Sequence, residues 1–231
     1  GNAAGEKAAA LFARCLRERC PVEFRPEAPG IWRLDLVLSE DIAGEAFAIE
    51  DVDGGLRVRA GSALGLVHGV GKLLRNSECG RDGFAPGDWR GLSRPELAVR
   101  GIYFATHFHN WYHVAPVENI QRYVEELALW GTNTLCVWFD MHHFNGINDP
   151  DAQAMLGRLN AVLGAARGIG MKTAGIFLAN EAYASSPEGL RADWTAGHNG
   201  YFKEPGGHYH VELCPSKPGA LDLLQQWAEE R

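Results

Sequence analysis

No stretch of the chain approaches the roughly 20 consecutive apolar residues a membrane-spanning helix requires, so no membrane partner is expected. A basic cluster is missing too. The 22 lysines and arginines are outnumbered by 29 acidic side chains, and the net charge of −7 argues against nucleic acid and anionic membranes as partners. Cysteine is scarce: Cys15, Cys20, Cys79, Cys136 and Cys214 are odd in number and scattered. That fits neither a disulfide framework nor a paired CxxC zinc site. Cys136 lies in an apolar strand-like run and reads as a small buried thiol. Nucleotide motifs are incomplete. Gly69-Val70-Gly71-Lys72 is followed by Leu73 rather than Ser or Thr, has no glycine upstream at P-loop spacing, and lacks the third glycine of a dinucleotide fingerprint. No HExxH occurs, and no cofactor is expected. No signal-peptide pattern opens the chain, which starts Gly1-Asn2-Ala3 rather than with Met. The compartment stays open between cytoplasmic and, if a leader was removed, secreted or periplasmic.

What is present is the balance of an ordinary folded protein. Of 231 residues, 46% are apolar and 22% charged, enough to bury a sizeable core in one large domain or two smaller ones. Apolar residues recur in periodic blocks, which excludes disorder as the main state. Leu11, Phe12, Cys15 and Leu16 predict a helix over 6–20, ended by Pro21. Val22-Glu23-Phe24 reads as a short strand before a Pro/Gly turn at 26–30, and period-two alternation predicts a half-buried strand over 31–38. Two more strands, 47–49 and 56–59, flank the hairpin signal Asp53-Gly54-Gly55. A helix over 62–75 has one apolar stripe, and its Gly65, Gly69 and Gly71 point to close packing on the sheet. Residues 76–97, rich in Gly, Pro, Arg and Asp, read as a linker, and the domains are drawn as 1–92 and 93–231.

Beyond the linker the rhythm changes to strands at 102–105, 135–139 and 173–178, alternating with helices at 118–130 and 151–167. Gly131 is the expected C-terminal glycine of the first. After an irregular stretch over 182–210, Ser216 and Pro218 open a last helix with Leu221, Leu224 and Ala228 on one face. Strands apolar on both faces between amphipathic helices call for a parallel sheet covered by helices, in a (β/α)8 barrel or an open doubly wound sheet. A complete barrel takes about 250 residues, so residues 93–231 hold about half of one.

The order helix, strand, strand, hairpin, helix carries a resemblance. The block Ala46-Phe47-Ala48-Ile49-Glu50 … Leu56-Arg57-Val58-Arg59-Ala60 … Gly65-Leu66-Val67-His68-Gly69-Val70-Gly71-Lys72-Leu73-Leu74 resembles the accessory N-terminal domain of family 20 glycoside hydrolases, and related domains precede the barrels of family 67 α-glucuronidases. Val99-Arg100-Gly101-Ile102-Tyr103-Phe104 is similar to the Arg-Gly-apolar opening of their first barrel strand, and the helix at 218–230 to the one before barrel strand four. The resemblance spans nearly the whole chain. It implies an α/β fold: a small α/β accessory domain (mixed or antiparallel sheet, two helices) over 1–92, then over 93–231 the first half of a TIM-type barrel. It implies a glycosidase acting on a glycan or uronic-acid-containing carbohydrate. Two departures stand out. Where the family 20 pattern has an Asp and then an Arg that grips an N-acetylhexosamine, this chain has Ala105 and Phe108. The family's Asp-Glu catalytic pair falls past Arg231, so the chain by itself is expected to be inactive and, as half a barrel, to self-associate.

In a barrel, function sits at the C-terminal ends of the strands. The ends here are Thr106-His107-Phe108-His109-Asn110-Trp111-Tyr112-His113, Asp140-Met141-His142-His143-Phe144-Asn145 and Asn180-Glu181-Ala182-Tyr183, and the first two hold five of the nine histidines. Aromatic faces cover a sugar's C–H face while polar groups bind its hydroxyls. The expected substrate-binding set is therefore His107, His109, Trp111, Asp140, His142, Asn180 and Glu181, with Trp194 a further stacking candidate. Each has a plainer role open to it. His107 and His109 alternate on one face but one could be packed against a carbonyl; Asp140 could cap its loop; the tryptophans could pack under loops. His142 and His143 are adjacent, so in extended backbone only one reaches the site. Glu181 and Asp140 could approach the roughly 5–10 Å separation of a glycosidase's two carboxylates, but since the resemblance places the dyad later they are expected to bind substrate or support other residues, and the catalytic residues stay open. The rival class is a metal-dependent, amidohydrolase-like barrel in which His107 and His109 hold zinc. A non-catalytic carbohydrate-binding fragment is the third.

Overall fold

The computed structural model describes residues 3–21, 32–106, 110–192 and 211–230. The expected strand at 22–24 and turn at 26–30 lie outside them. The chain folds as two compact units: Gly1–Ile102 with Gln121–Thr134 and Ala165–Lys172, and Tyr103–Ile120 with Leu135–Gly164 and Thr173–Arg231.

The first unit opens with α1 (Ala3–Arg19) and continues through β1 (Arg33–Leu38), β2 (Phe47–Val52), β3 (Gly55–Ala60) and α2 (Ala63–Asn76). The short strands β4 (Glu78–Gly80), β5 (Gly83–Ala85) and β6 (Gly91–Ser93) follow. β1, β3, β2 and β6 form a mixed sheet in that order, with β1 parallel to β3 and β2 antiparallel to β3 and β6. Val52 pairs with Gly55, so the hairpin loop is Asp53-Gly54, with Gly54 at φ 73°, where a Cβ would be strained. Alternation along β3 is clean. Leu56, Val58 and Ala60 are buried, while Arg57 and Arg59 form ion pairs with Asp35, Glu50 and Asp41. α2 lays Leu66, Val67, Val70, Leu73 and Leu74 into the core, and Ser62 caps it by accepting from Gly65 N–H at 3.1 Å.

Three expectations are corrected here. Residues 76–97 are not only linker: β4 and β5 pair as a hairpin, and β6 adds a strand to the main sheet. These three-residue strands are too short to show a period. β1 is less buried than alternation suggests, with Val37 and Leu38 each 39% exposed, because it is an edge strand with a neighbour on one side only. Of the α2 glycines, Gly65 and Gly69 do face the sheet; a Cβ on Gly69 would lie 2.4 Å from Val58 Cγ1. Gly71 instead faces a helix, where a Cβ would lie 1.8 Å from the Leu129 carbonyl oxygen.

That helix is α4 (Val117–Leu129), preceded by β7 (Gly101–Phe104) and the short α3 (Trp111–Val114). β8 (Thr134–Trp138), α5 (Pro150–Gly168), β9 (Lys172–Ile176) and α6 (Ala220–Glu230) complete the order. The second sheet runs β7-β8-β9, and each link between neighbours carries a helix, the crossover that parallel neighbours need. α4 ends as expected. Gly131 sits at φ 102°, and Thr132 N–H and Gly131 N–H donate to the carbonyls of Leu127 and Ala128. At the N-terminal ends of the three strands, buried Asn133 is the staple. Its Oδ1 accepts from Arg100 N–H at 2.8 Å, its Nδ2 donates to Ala98 O and Glu45, and its backbone bonds to Arg100 O and Lys172 N–H. The Arg-Gly opening of β7 thus has a structural role: Arg100 pairs with Glu45 and donates to Gly131 O at 2.7 Å.

Cys136 is only half-buried rather than enclosed, and Phe177 just beyond β9 is 55% exposed. α6 begins at Ala220, later than Ser216 suggests, with Gly219 at φ 84° before it. The buried stripe is therefore Ala220, Leu224 and Trp227, and Leu221 points outward.

Candidate functional site

The site is built on the end of β8. After Trp138 come Phe139 and Asp140, then a 3-10 turn, Met141–His143. The rings of Phe139 and Phe144 stack at 5.3 Å and close the base of this loop. A 3-10 turn rotates successive residues by about 120° rather than the roughly 180° of a strand. The expectation that His142 and His143 diverge therefore fails: their ring centroids are 4.4 Å apart and both rings meet Asp140. His142 Nδ1 contacts Asp140 Oδ1 directly, and His143 Nε2 lies 3.0 Å from Asp140 Oδ2.

Glu181 comes to the same place from beyond β9. Its Oε1 accepts from Met141 N–H at 2.9 Å and lies 3.5 Å from His142 Nδ1, while its Oε2 accepts from Trp138 Nε1 at 3.0 Å. Local pairing sets its position: Ala182 N–H donates to Val211 O at 2.8 Å and Leu213 N–H to Asn180 O at 2.9 Å. Asn180 donates through Nδ2 to Glu212 Oε2 at 3.2 Å. Asp140 and Glu181 are 5% and 2% exposed, so this is an interior network.

Burial and pairing compete in it. Burial pushes the Asp140 carboxyl up, but its contacts with His142 and His143 prevail and hold it at about 2. Burial pulls His142 down, yet Asp140 and Glu181 raise it to about 9. Burial raises Glu181 above the usual carboxylate range, with Asp140 adding to the effect against the hydrogen bonds from His142 and Trp138. Glu212 is also raised by burial, opposed by Asn180.

Of the expected site residues, Asp140, His142 and Glu181 come together and Asn180 stands beside Glu181 in sequence. Trp111 begins α3, is 43% exposed, and meets Tyr112 edge-to-face at 5.5 Å. His107, His109 and Trp194 lie outside the described residues. Sequence reasoning left out His143, Glu212 and the supporting Trp138. The signal for His143 is the tandem His-His after Asp140, which points to one site only when the backbone turns rather than extends. His143 also lines a cleft of about 690 Å³ with His113, Phe144, Met155, Asp151 and Arg158.

No protein-family model and no curated protein matches the chain. Solved structures do. Over its length the chain shares the fold of part of several solved GH20 enzymes. It is similar to a GH20 exo-β-N-acetylglucosaminidase from Vibrio harveyi at 13% identity and a TM-score of 0.68, over 100% of this chain and 40% of that one. The GH20 β-N-acetylhexosaminidase from Streptomyces coelicolor A3(2) aligns at 19% identity and 0.66, over 96% of this chain and 48% of that one. The Flavobacterium johnsoniae chitobiase aligns at 15% and 0.65, over 99% and 38%. The chain thus spans less than half the length of these structures. At such identities the likeness is one of fold, and it agrees with the expected α/β class.

Proposed function

We propose that this chain supplies part of the carbohydrate pocket of a glycoside hydrolase, with residues 1–92 as an accessory domain and 93–231 as barrel strands one to three with their helices. The observation that carries the reading is the buried Asp140–His142–Glu181 network, with His143 on Asp140, at the strand ends of a fold whose solved examples are GH20 enzymes. Strand ends are where barrel enzymes place their chemistry.

The roles follow from the geometry. Asp140 and Glu181 are positioning residues, orienting His142 from two sides, and Glu181 also fixes the turn through Met141 N–H. His142, His143 and Asn180 offer donors to sugar oxygens, and Trp111 is an exposed aromatic face for a sugar ring. Both Glu181 oxygens already accept hydrogen bonds. That favours support over proton transfer for Glu181 and favours a catalytic dyad from outside this chain. Ala105 in the family's Asp position favours a glycone other than an N-acetylhexosamine, a uronic acid among them.

The test is hydrolysis of a panel of aryl glycosides by the full natural protein that carries this chain. Hydrolysis of one glycoside class, reduced at least about tenfold in kcat/KM by Asp140→Asn, supports the reading. Absence of hydrolysis across the panel, or full activity in Asp140→Asn, overturns it.

A further inference from the structure

We propose that Asp140, His142 and His143 form a binding site for one divalent first-row transition-metal ion. The sequence pointed to no cofactor, and its rival metal pair was His107 and His109. The structure gathers a different set. One ligand atom from each of Asp140, His142 and His143 lies within 4.8 Å of the others. Metal–ligand bonds of about 2.0–2.2 Å hold two ligands of a tetrahedral ion roughly 3.3–3.6 Å apart, so side-chain rotations that open the Asp140 contacts bring the set to ligating distances. Two imidazoles and a carboxylate are the donor set suited to zinc, iron, cobalt, nickel or manganese rather than to calcium or magnesium, which take mainly oxygen.

Convergence is the second argument. His142 Nδ1 and His143 Nε2 aim at the two oxygens of the same carboxylate. An ion binding here takes the place of these direct contacts, with each group turned toward it. All three ligands come from one four-residue segment, and that segment is held on both sides. Phe139 stacks on Phe144, and Glu181 accepts from Met141 N–H at the centre of the turn. Ligands fixed by their surroundings lose little freedom on binding. Glu181, 3.5 Å from His142 Nδ1, lies on the ligating side of that ring and adds negative charge beside the ion.

Charge is the third. Asp140 and Glu181 are two buried carboxylates, and among the described residues no lysine or arginine lies in ion-pair reach of either. With both imidazoles neutral, as metal ligands are, a divalent ion balances the two carboxylates. Access is the fourth. The His143 side chain, 16% exposed, also lines the 690 Å³ cleft, so one ligand of the set faces open space. The inference stands independently of the carbohydrate reading: failure to hydrolyse any glycoside leaves it intact, and failure to bind metal leaves that reading intact.

The experiment strips the protein with a chelator and titrates it with Zn²⁺ and, separately, Co²⁺. Metal content by mass spectrometry and the cobalt d–d spectrum are the readouts. The expected result is one ion per chain, with affinity reduced more than tenfold by His142→Gln and by His143→Gln and kept by His107→Ala/His109→Ala. Circular dichroism of each variant in chelator shows whether it has folded. For a variant that has not, the imidazole NMR signals of Co²⁺-loaded wild-type protein decide: those of His142 and His143 shift if they are ligands. The proposal is overturned by no stoichiometric uptake, by uptake that survives the double variant His142→Gln/His143→Gln, by loss in His107→Ala/His109→Ala alone, or by unshifted His142 and His143 signals.

Discussion

Glu181 Oε2 accepts a hydrogen bond from the indole Nε1 of Trp138 at 3.0 Å, and this bond ties the segment beyond β9 to the last residue of β8. The other oxygen takes Met141 N–H. One buried carboxylate therefore sets the shape of the turn that carries Asp140, His142 and His143.

Removing that carboxylate leaves two buried donors without acceptors. Glu181→Ala is expected to cost about 2–4 kcal/mol, at about 1–3 for each stranded group, offset in part by loss of a buried charge. Glu181→Gln keeps one acceptor oxygen and is expected to cost less. Urea denaturation compares the two; equal stability of Glu181→Ala and wild type would show that the carboxylate does not hold the turn.

The Asp140–His142 contact makes stability depend on pH in two windows, measured in chelator so that protons alone compete for the site. The folded-state value of His142 is raised, so its contribution is complete below the ordinary value near 6.5 and is lost as pH rises through about 9. The folded-state value of Asp140 is lowered, so its contribution is complete above the ordinary carboxyl range and is lost as pH falls through about 2. Wild-type urea midpoints should decline between pH 7 and 9.5 more steeply than those of His142→Gln. Parallel profiles would mean that His142 titrates at its ordinary value.

Two helix glycines separate close packing from mere flexibility. A Cβ on Gly71 would lie 1.8 Å from the Leu129 carbonyl, whereas one on Gly164 in α5 meets nothing within 4 Å. Gly71→Ala is expected to destabilise by about 2–3 kcal/mol through overpacking, and Gly164→Ala to stabilise by about 0.5–1 kcal/mol. Thermal melts of both variants check the sign; a neutral Gly71→Ala would mean that α4 yields easily.

Asn133 ties the N-terminal ends of three strands, its side-chain amide bonding Arg100 N–H and Ala98 O and its backbone carbonyl accepting from Lys172 N–H. Asn133→Leu keeps the bulk and removes the bonds to Arg100 N–H, Ala98 O and Glu45, with an expected loss of about 3 kcal/mol. Asn133→Asp keeps only the acceptor and places a second carboxylate beside Glu45, so it should be at least as damaging. A loss below about 1 kcal/mol in either would show that the staple is dispensable.

Long periodic segments were legible in the sequence. α2, α4, the β2–β3 hairpin and β8 fall where their spacing puts them, because their burial is one-sided and regular. What escaped was short or contextual. β4 to β6 have three residues each, and β1 is exposed by its place at the sheet edge, which no local pattern states. In the site, Asp140, His142 and Glu181 were legible from their strand-end positions. His143 was not, since its direction depends on a 3-10 turn imposed by Glu181, some 40 residues away in sequence.

The most direct test of the central claim is sugar binding mapped onto this network. The protein, with its histidine rings isotopically labelled, would be titrated with a uronic acid, an N-acetylhexosamine and a neutral hexose while the His142 and His143 imidazole signals are followed by NMR. The expected result is saturable shifts of these signals with one sugar class, abolished in Asp140→Asn. Signals unmoved by all three sugars at millimolar concentration would contradict a carbohydrate pocket at the end of β8.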